Sequence, residues 1–338
     1  MARHGPALAQ PGFRHALARK HRLRPAEALP VLALLAVPLL GPEYYALGTE
    51  VVITTIFALS LDLLVGYAGI VTLGHAVFFG LGTYATGIAS AHGWGEPLSG
   101  LLIGVAVAAA MGAILGAIVL RTAKFTLLML TLSSVFLAGE VANKATWLTG
   151  GVDGVVGIST WPVLGIFEFD LFGQTGFAYA SAVFLAVWLG LRWLVHAPFG
   201  QSIMAIRDNP GRAAAIGMAV LPRLVLVYAI SCGIAGLAGA LQAEINQFAG
   251  LKDISFELSA SILVMLALGG AGRLYGAMAG PAAYLVAQDV LAKDNPVLWQ
   301  LWLGVLIVAV VLFAPGGLLG IADRLAARLR PRVQPRVR

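Results

Sequence analysis

Two ionisable residues stand inside strongly apolar surroundings. Asp62 lies in Ala58-Leu59-Ser60-Leu61-Asp62-Leu63-Leu64, just ahead of a glycine-flanked break, Gly66-Tyr67-Ala68-Gly69. His75 follows that break in Thr72-Leu73-Gly74-His75. A carboxyl or imidazole in such a setting is costly, so it faces a protein interior or a polar path, where it can gate passage or relay a proton. The plainer chemistry is structural, with Asp62 paired to a polar group of a neighbouring helix and His75 hydrogen-bonded inside the bundle. Glu140 and Glu244 fall near the ends of their apolar segments and are expected to reach water; Asp289 lies near another outer end. Soluble-enzyme constellations are missing. There is no GxxxxGK[ST] phosphate loop and no HExxH, and four of the six histidines (His4, His15, His21, His92) sit in polar flanks or connections. Covalent catalysis, ATP hydrolysis by this chain and a metal site are therefore not expected.

The elements that must hold these residues are membrane helices. The chain of 338 residues is 59% hydrophobic and 11% charged, with a mean hydropathy of +0.88. Soluble domains are roughly 45–50% apolar and 25% charged, so a bilayer is the solvent this composition implies. Apolar segments run over about 28–47, 49–66, 70–91, 98–120, 125–143, 177–195, 223–246, 258–270, 276–291 and 297–320. The expected fold is all-α, with about 8–10 transmembrane helices, some broken or re-entrant. Its three parts are a basic segment 1–27, a membrane domain 28–320 and a basic tail 321–338.

Of the 22 Lys and Arg, six precede Glu27 and six follow Asp323, which places both termini in the cytoplasm by the positive-inside rule. Basic flanks of this kind serve topology, so no nucleic-acid partner is expected; the partner of the apolar surface is the lipid bilayer. Threading from a cytoplasmic N-terminus puts 144–176 outside and 196–222 inside. The single cysteine, Cys232, excludes an intrachain disulfide framework.

The break at 66–69 and a second at Gly269-Gly270-Ala271-Gly272-Arg273-Leu274-Tyr275-Gly276 interrupt apolar segments. Non-helical backbone at membrane depth survives only inside protein or along a watery cavity, so such breaks point to a transport pathway. Close helix packing is the competing explanation, and Gly104, Gly112 and Gly116 fit it. The outer loop carries Thr149-Gly150-Gly151-Val152-Asp153-Gly154 with aromatic residues around it, which suits a short surface-lying connector or a docking face. The inner loop is predicted to hold a helix ending near Asp208, a turn at Asn209-Pro210-Gly211 and a second short helix ending at Gly217. Its apolar residues Ile203, Met204, Ile206, Ala213, Ala214 and Ile216 have no lipid to enter, so a partner protein is expected to cover them.

Five segments resemble a known family, the M-type permease subunits of ATP-binding-cassette importers for branched-chain amino acids. They are Leu61-Asp62-Leu63-Leu64-Val65-Gly66-Tyr67-Ala68-Gly69 with Leu73-Gly74-His75-Ala76-Val77-Phe78-Phe79-Gly80; Leu148 to Gly154; Ala205-Ile206-Arg207-Asp208-Asn209 with Arg212-Ala213 and Ile216-Gly217; Leu268 to Gly272 with Gly276; and Leu312-Phe313-Ala314-Pro315-Gly316-Gly317-Leu318. The resemblance implies a multi-pass subunit of the bacterial cytoplasmic membrane that pairs with a homologous H-type permease, two cytoplasmic ATPase subunits and a periplasmic solute-binding protein. ATP would bind the partner subunits and no cofactor this chain. It implies an ATPase-coupling role for Arg207, Asp208, Asn209, Arg212, Ala213 and Gly217. The translocation pathway is expected at Asp62, Gly66, Gly69, Thr72, Gly74, His75, Gly269, Gly270 and Gly272, and binding-protein docking at Gly150, Gly151 and Asp153. Departures from the family pattern fall at Asp62, where Asn is common, at Ile70-Val71-Thr72, and at Arg273, where a small residue is usual. They leave the solute open among amino acids, urea, amides and aromatic acids. The rival reading of the same broken helices, Asp62 and His75 is an ion-coupled secondary transporter.

Overall fold

The computed structural model describes residues 37–38, 41–162, 165, 167, 170, 173–313 and 316–320. The segments 1–27 and 321–338, and most of the apolar segment 28–47, lie outside the described residues. Among the described residues, twelve α-helices follow in order: α1 (Tyr45–Asp62), α2 (Ala76–Ala91), α3 (Pro97–Val119), α4 (Lys124–Lys144), α5 (Thr146–Thr149), α6 (Gln174–His196), α7 (Pro198–Asp208), α8 (Pro210–Ala215), α9 (Val220–Asn246), α10 (Phe256–Gly269), α11 (Leu274–Asp294) and α12 (Trp299–Phe313). An isolated antiparallel β bridge joins Val155 and Ala249.

Five helical stretches among them are long and apolar enough to cross a bilayer: Pro42–Ala68, Pro97–Val119, Lys124–Lys144, Gln174–His196 and Val220–Asn246. A sixth span arises if α10 and α11 count as one element, bent by 115° at its break. The protein is thus a polytopic all-α membrane protein. At 16 residues α2 is about 24 Å long, short of the roughly 30 Å hydrocarbon core.

Sequence boundaries and helix boundaries differ in two places. The gap drawn between 28–47 and 49–66 does not exist, because the helix runs through Gly48 from a 3₁₀ turn at Pro42–Tyr44. Proline at the start of a helix gives up a donor that has no partner there anyway, so initiation falls at Pro42 and not after Gly48. The segment 70–91 is helical only from Ala76. Ahead of it, α1 opens into a π turn over Leu63–Ala68, and Gly69 ends the turn in the left-handed region with φ of 70°. Residues 70–75 then turn back non-helically toward the interior.

The core is built around α9, which lies against α3, α2 and α1. Glycines let these backbones touch. A Cβ at Gly82 would meet the carbonyl of Gly236, and one at Gly239 would meet the carbonyl of Phe79. Gly104, Gly112 and Gly116 face Ala240, Cys232 and Tyr228 respectively. Small residues allow van der Waals contact where no hydrophobic force drives helices together in lipid.

Candidate functional site

The two glycine breaks, far apart in sequence, meet at one end of the bundle. Asp62 is fully buried, and its Oδ1 accepts a hydrogen bond of 2.6 Å from the N–H of Gly272. Gly66 occupies the space between them, since a Cβ there would overlap Asp62 Oδ1 and the Gly272 nitrogen. Gly269 is equally confined, with the carbonyl of Gly276 and the nitrogen of Gly280 where its Cβ would stand. Gly270 and Gly272 take φ values of 105° and 80°, which L side chains rarely adopt. Of the competing explanations for the breaks, close packing accounts for their glycines, and Asp62 ties the two breaks together.

Thr72, Gly74 and His75 occupy a different place, on the non-helical return between α1 and α2. Leu73 N–H donates to Thr131 Oγ1 of α4 at 3.3 Å, Gly74 N–H to Thr72 Oγ1 at 3.1 Å, and Ala76 N–H to Ser259 Oγ of α10 at 2.9 Å. These side-chain acceptors satisfy backbone donors that a helix would otherwise pair. His75 is fully buried, stacked on Phe57 at 5.5 Å and edge-on to Phe78 at 6.0 Å. Its Nε2 lies 2.8 Å from Ser60 Oγ, whose hydroxyl in turn donates to Phe57 O at 2.6 Å. A hydrogen bond between Nε2 and Ser60 Oγ thus links the return segment to α1. Sequence reasoning passes over Ser60, Ser259 and Ser231, the last of which donates its hydroxyl to Ser60 O at 2.6 Å. The usable signal is a small hydroxyl inside an otherwise apolar helix.

The inner-loop elbow forms as α7 and α8. Pro198 and Pro210 open the two helices, and between them Asn209 adopts an extended conformation with its Oδ1 accepting the Arg212 N–H at 2.9 Å. The expected turn at Asn209-Pro210-Gly211 is therefore a helix N-cap. Gly217 ends the elbow with φ of 84°. Ile203, Ile206 and Ala213 are buried by the chain's own packing, which corrects the expectation that a partner must cover them; Ile216 remains 72% exposed. Asp208 and Arg207 form an ion pair at 3.2 Å, with the Asp208 side chain 70% exposed.

At the opposite end, Gly150, Gly151 and Asp153 follow α5, with Gly151–Asp153 forming a 3₁₀ turn. Gly150 and Gly151 have φ of 72° and 62°, and Thr149 Oγ1 donates back to Ala142 O at 2.5 Å. Asp153 is exposed, between exposed Trp147, Val152 and Val156. The neighbouring connection 247–255 folds over Asp253, whose Oδ2 accepts the Gly250 N–H at 3.0 Å. Burial raises the Asp253 carboxyl above the usual carboxylate range, and the Gly250 bond opposes that shift.

Glu140 is exposed and paired with Lys144 at 3.0 Å, whereas Glu244 departs from its expected solvent position. Glu244 is only 2% exposed, and Tyr179 of α6 donates to its Oε2 at 2.9 Å. Its place near a helix end would allow it to reach water, but α6 and α3 close over it. Glu244→Gln keeps an acceptor for Tyr179, so its Tm in detergent should stay within about 2 °C of wild type. Glu244→Leu removes that acceptor at a cost of about 0.5–1.5 kcal/mol and should lower Tm further than Glu244→Gln. Equal Tm for the two variants would show that the bond is dispensable.

No group of three or more His, Cys, Asp or Glu that could hold a metal ion lies among the described residues. What the fold presents is a membrane bundle with two broken helices tied together and an elbow of two short helices beside them, the build of a transport subunit. Comparison with known families agrees: a family profile described as branched-chain amino acid transport system / permease component matches residues 45–312, and the chain belongs to that family. It is 27% identical over 321 residues to the high-affinity branched-chain amino acid transport system permease protein LivM of Salmonella typhimurium, covering 86% of this chain and 74% of the relative. The protein of the same name from Escherichia coli is 26% identical with the same coverage. A probable branched-chain amino acid transport permease protein LivM from Methanocaldococcus jannaschii is 26% identical, covering 78% of this chain and 89% of that protein. No solved structure matches the chain significantly.

Proposed function

We propose that this chain is the permease subunit of an ATP-binding-cassette importer carrying branched-chain or related amino acids across the bacterial cytoplasmic membrane, with both termini cytoplasmic. The observation that carries the reading is the family match over residues 45–312, joined to an elbow that contacts the first glycine break through Arg207. The elbow 196–222 receives the cytoplasmic ATPase subunits, which bind and hydrolyse ATP. A homologous H-type permease completes the pore. A periplasmic binding protein docks on the turn at Gly150, Gly151 and Asp153 and sets solute choice. The path runs beside Asp62, Gly66, Gly69, Gly269, Gly270 and Gly272, with the return segment at Thr72, Gly74 and His75 forming its wall. The family match does not favour the ion-coupled alternative; of its two candidate groups, His75 is enclosed by Phe57, Phe78 and Ser60, and Asp62 accepts the Gly272 N–H.

Two measurements test the parts. A thermal-shift screen of the cognate binding protein should give its largest rise with leucine, isoleucine or valine; a rise only with urea or an amide would replace the solute class. Asp153→Lys on the permease should weaken binding-protein docking at least tenfold in a vesicle co-sedimentation assay, and unaltered docking would move that partner elsewhere.

A further inference from the structure

Arg207, in the last turn of α7, does more than flank the elbow. Its Nη1 donates to the carbonyl of Gly66 at 2.5 Å across 141 residues of sequence. Its Nε and Nη2 hold Asp208 Oδ1 at 3.3 and 3.2 Å, which fixes the direction of the guanidinium. The aliphatic stem crosses the face of Gly69, where a Cβ would stand 2.6 Å from Arg207 Cγ. Gly66 lies within the π turn, where the α-helical pairing of carbonyls is interrupted. The same residue is wedged against Asp62 Oδ1 and the Gly272 nitrogen, and Asp62 holds Gly272 across 210 residues. Two hydrogen bonds and one glycine therefore connect the elbow, the π turn of α1 and the 115° bend between α10 and α11.

Each joined part departs from regular helix: the π turn holds an extra residue per turn, and the bend places Gly270 and Gly272 at φ of 105° and 80°. Arg207 is a tether and not a buried core group, since its side chain is 38% exposed. Displacing α7 pulls on the Gly66 carbonyl. Gly66 cannot move without displacing Asp62 or Gly272, because no space separates them.

We propose that Arg207 and Asp62 are positioning residues of a two-bond strut that passes displacement of the elbow to the α10–α11 bend. The proposal rests on the importer reading, and it predicts a loss of coupling instead of a loss of assembly. In the full complex reconstituted with its ATPase subunits and binding protein, uptake by Arg207→Ala is read per ATP hydrolysed, so that any loss of docked ATPase divides out. Leucine uptake per ATP hydrolysed should fall about tenfold, with partial recovery in Arg207→Lys, which retains a donor. Asp62→Asn keeps an acceptor for the Gly272 N–H and should couple as wild type, whereas Asp62→Leu should uncouple. Unchanged uptake per ATP in Arg207→Ala overturns the strut, as does a parallel fall of uptake and hydrolysis with loss of bound ATPase. A wild-type complex that fails to import on ATP would sink the importer reading instead. The strut is then read in the permease alone, by hydrogen exchange at residues 269–276. Faster exchange in both Arg207→Ala and Asp62→Leu supports it, and unchanged exchange in both removes it.

Discussion

Gly269→Val is expected to abolish the folded permease. The added Cβ falls on the Gly276 carbonyl and the Gly280 nitrogen, and Gly276 in turn faces the Gly270 carbonyl. These neighbours are backbone, so no side-chain rotation relieves the clash. Overpacking a core costs about 1–3 kcal/mol when neighbours yield, and here they cannot, so a loss of at least ~3 kcal/mol is expected. For a chain of 338 residues that corresponds to a Tm lower by at least about 4 °C, with a main peak that moves to the void volume in size-exclusion chromatography. Gly190→Ala in α6 is the control, because nothing lies within 4 Å of a Cβ at Gly190. It should elute and melt as wild type. A normally folded Gly269→Val protein would mean that the α10–α11 bend is far looser than its backbone contacts imply.

Asp208→Arg should leave folding untouched and stop ATP-driven uptake. The carboxylate is mostly exposed, its only described partner is Arg207, and surface pairs of this kind contribute about 0–1 kcal/mol to stability. In the importer reading the reversal puts a cation where the docking face carried an exposed carboxylate, and complex formation with the ATPase subunits is expected to fall at least about tenfold. The measurement is co-purification of ATPase subunits alongside uptake in proteoliposomes. Uptake within twofold of wild type would exclude Asp208 from the docking face.

The repeated apolar runs, the break at Gly66 to Gly69, the bend near Gly270 and the two-helix elbow are all local patterns, and each is legible in the order of residues alone. Hydropathy reports what lipid would accept, and glycine clusters report where a helix stops. Neither reports which segments meet. The Asp62–Gly272 and Arg207–Gly66 contacts join residues 210 and 141 positions apart, so no window along the chain can reveal them. The same limit explains Glu244. Its position near a helix end is a local fact, while its burial depends on Tyr179 arriving from α6. It also explains Ile203 and Ile206, whose helical spacing correctly marks a buried face, although the chain's own packing covers them. Helix starts are a different case. Pro42 is a usable signal, and hydropathy summed across Gly48 obscures it.

The central claim is that this chain moves solute in step with ATP hydrolysis on partner subunits. It is tested most directly by uptake of labelled leucine into proteoliposomes holding the complete complex. Uptake that requires ATP and the ATPase subunits, and that persists when proton and sodium gradients are collapsed, is the predicted result. Uptake by the permease without ATPase subunits, driven by a proton or sodium gradient, would contradict it.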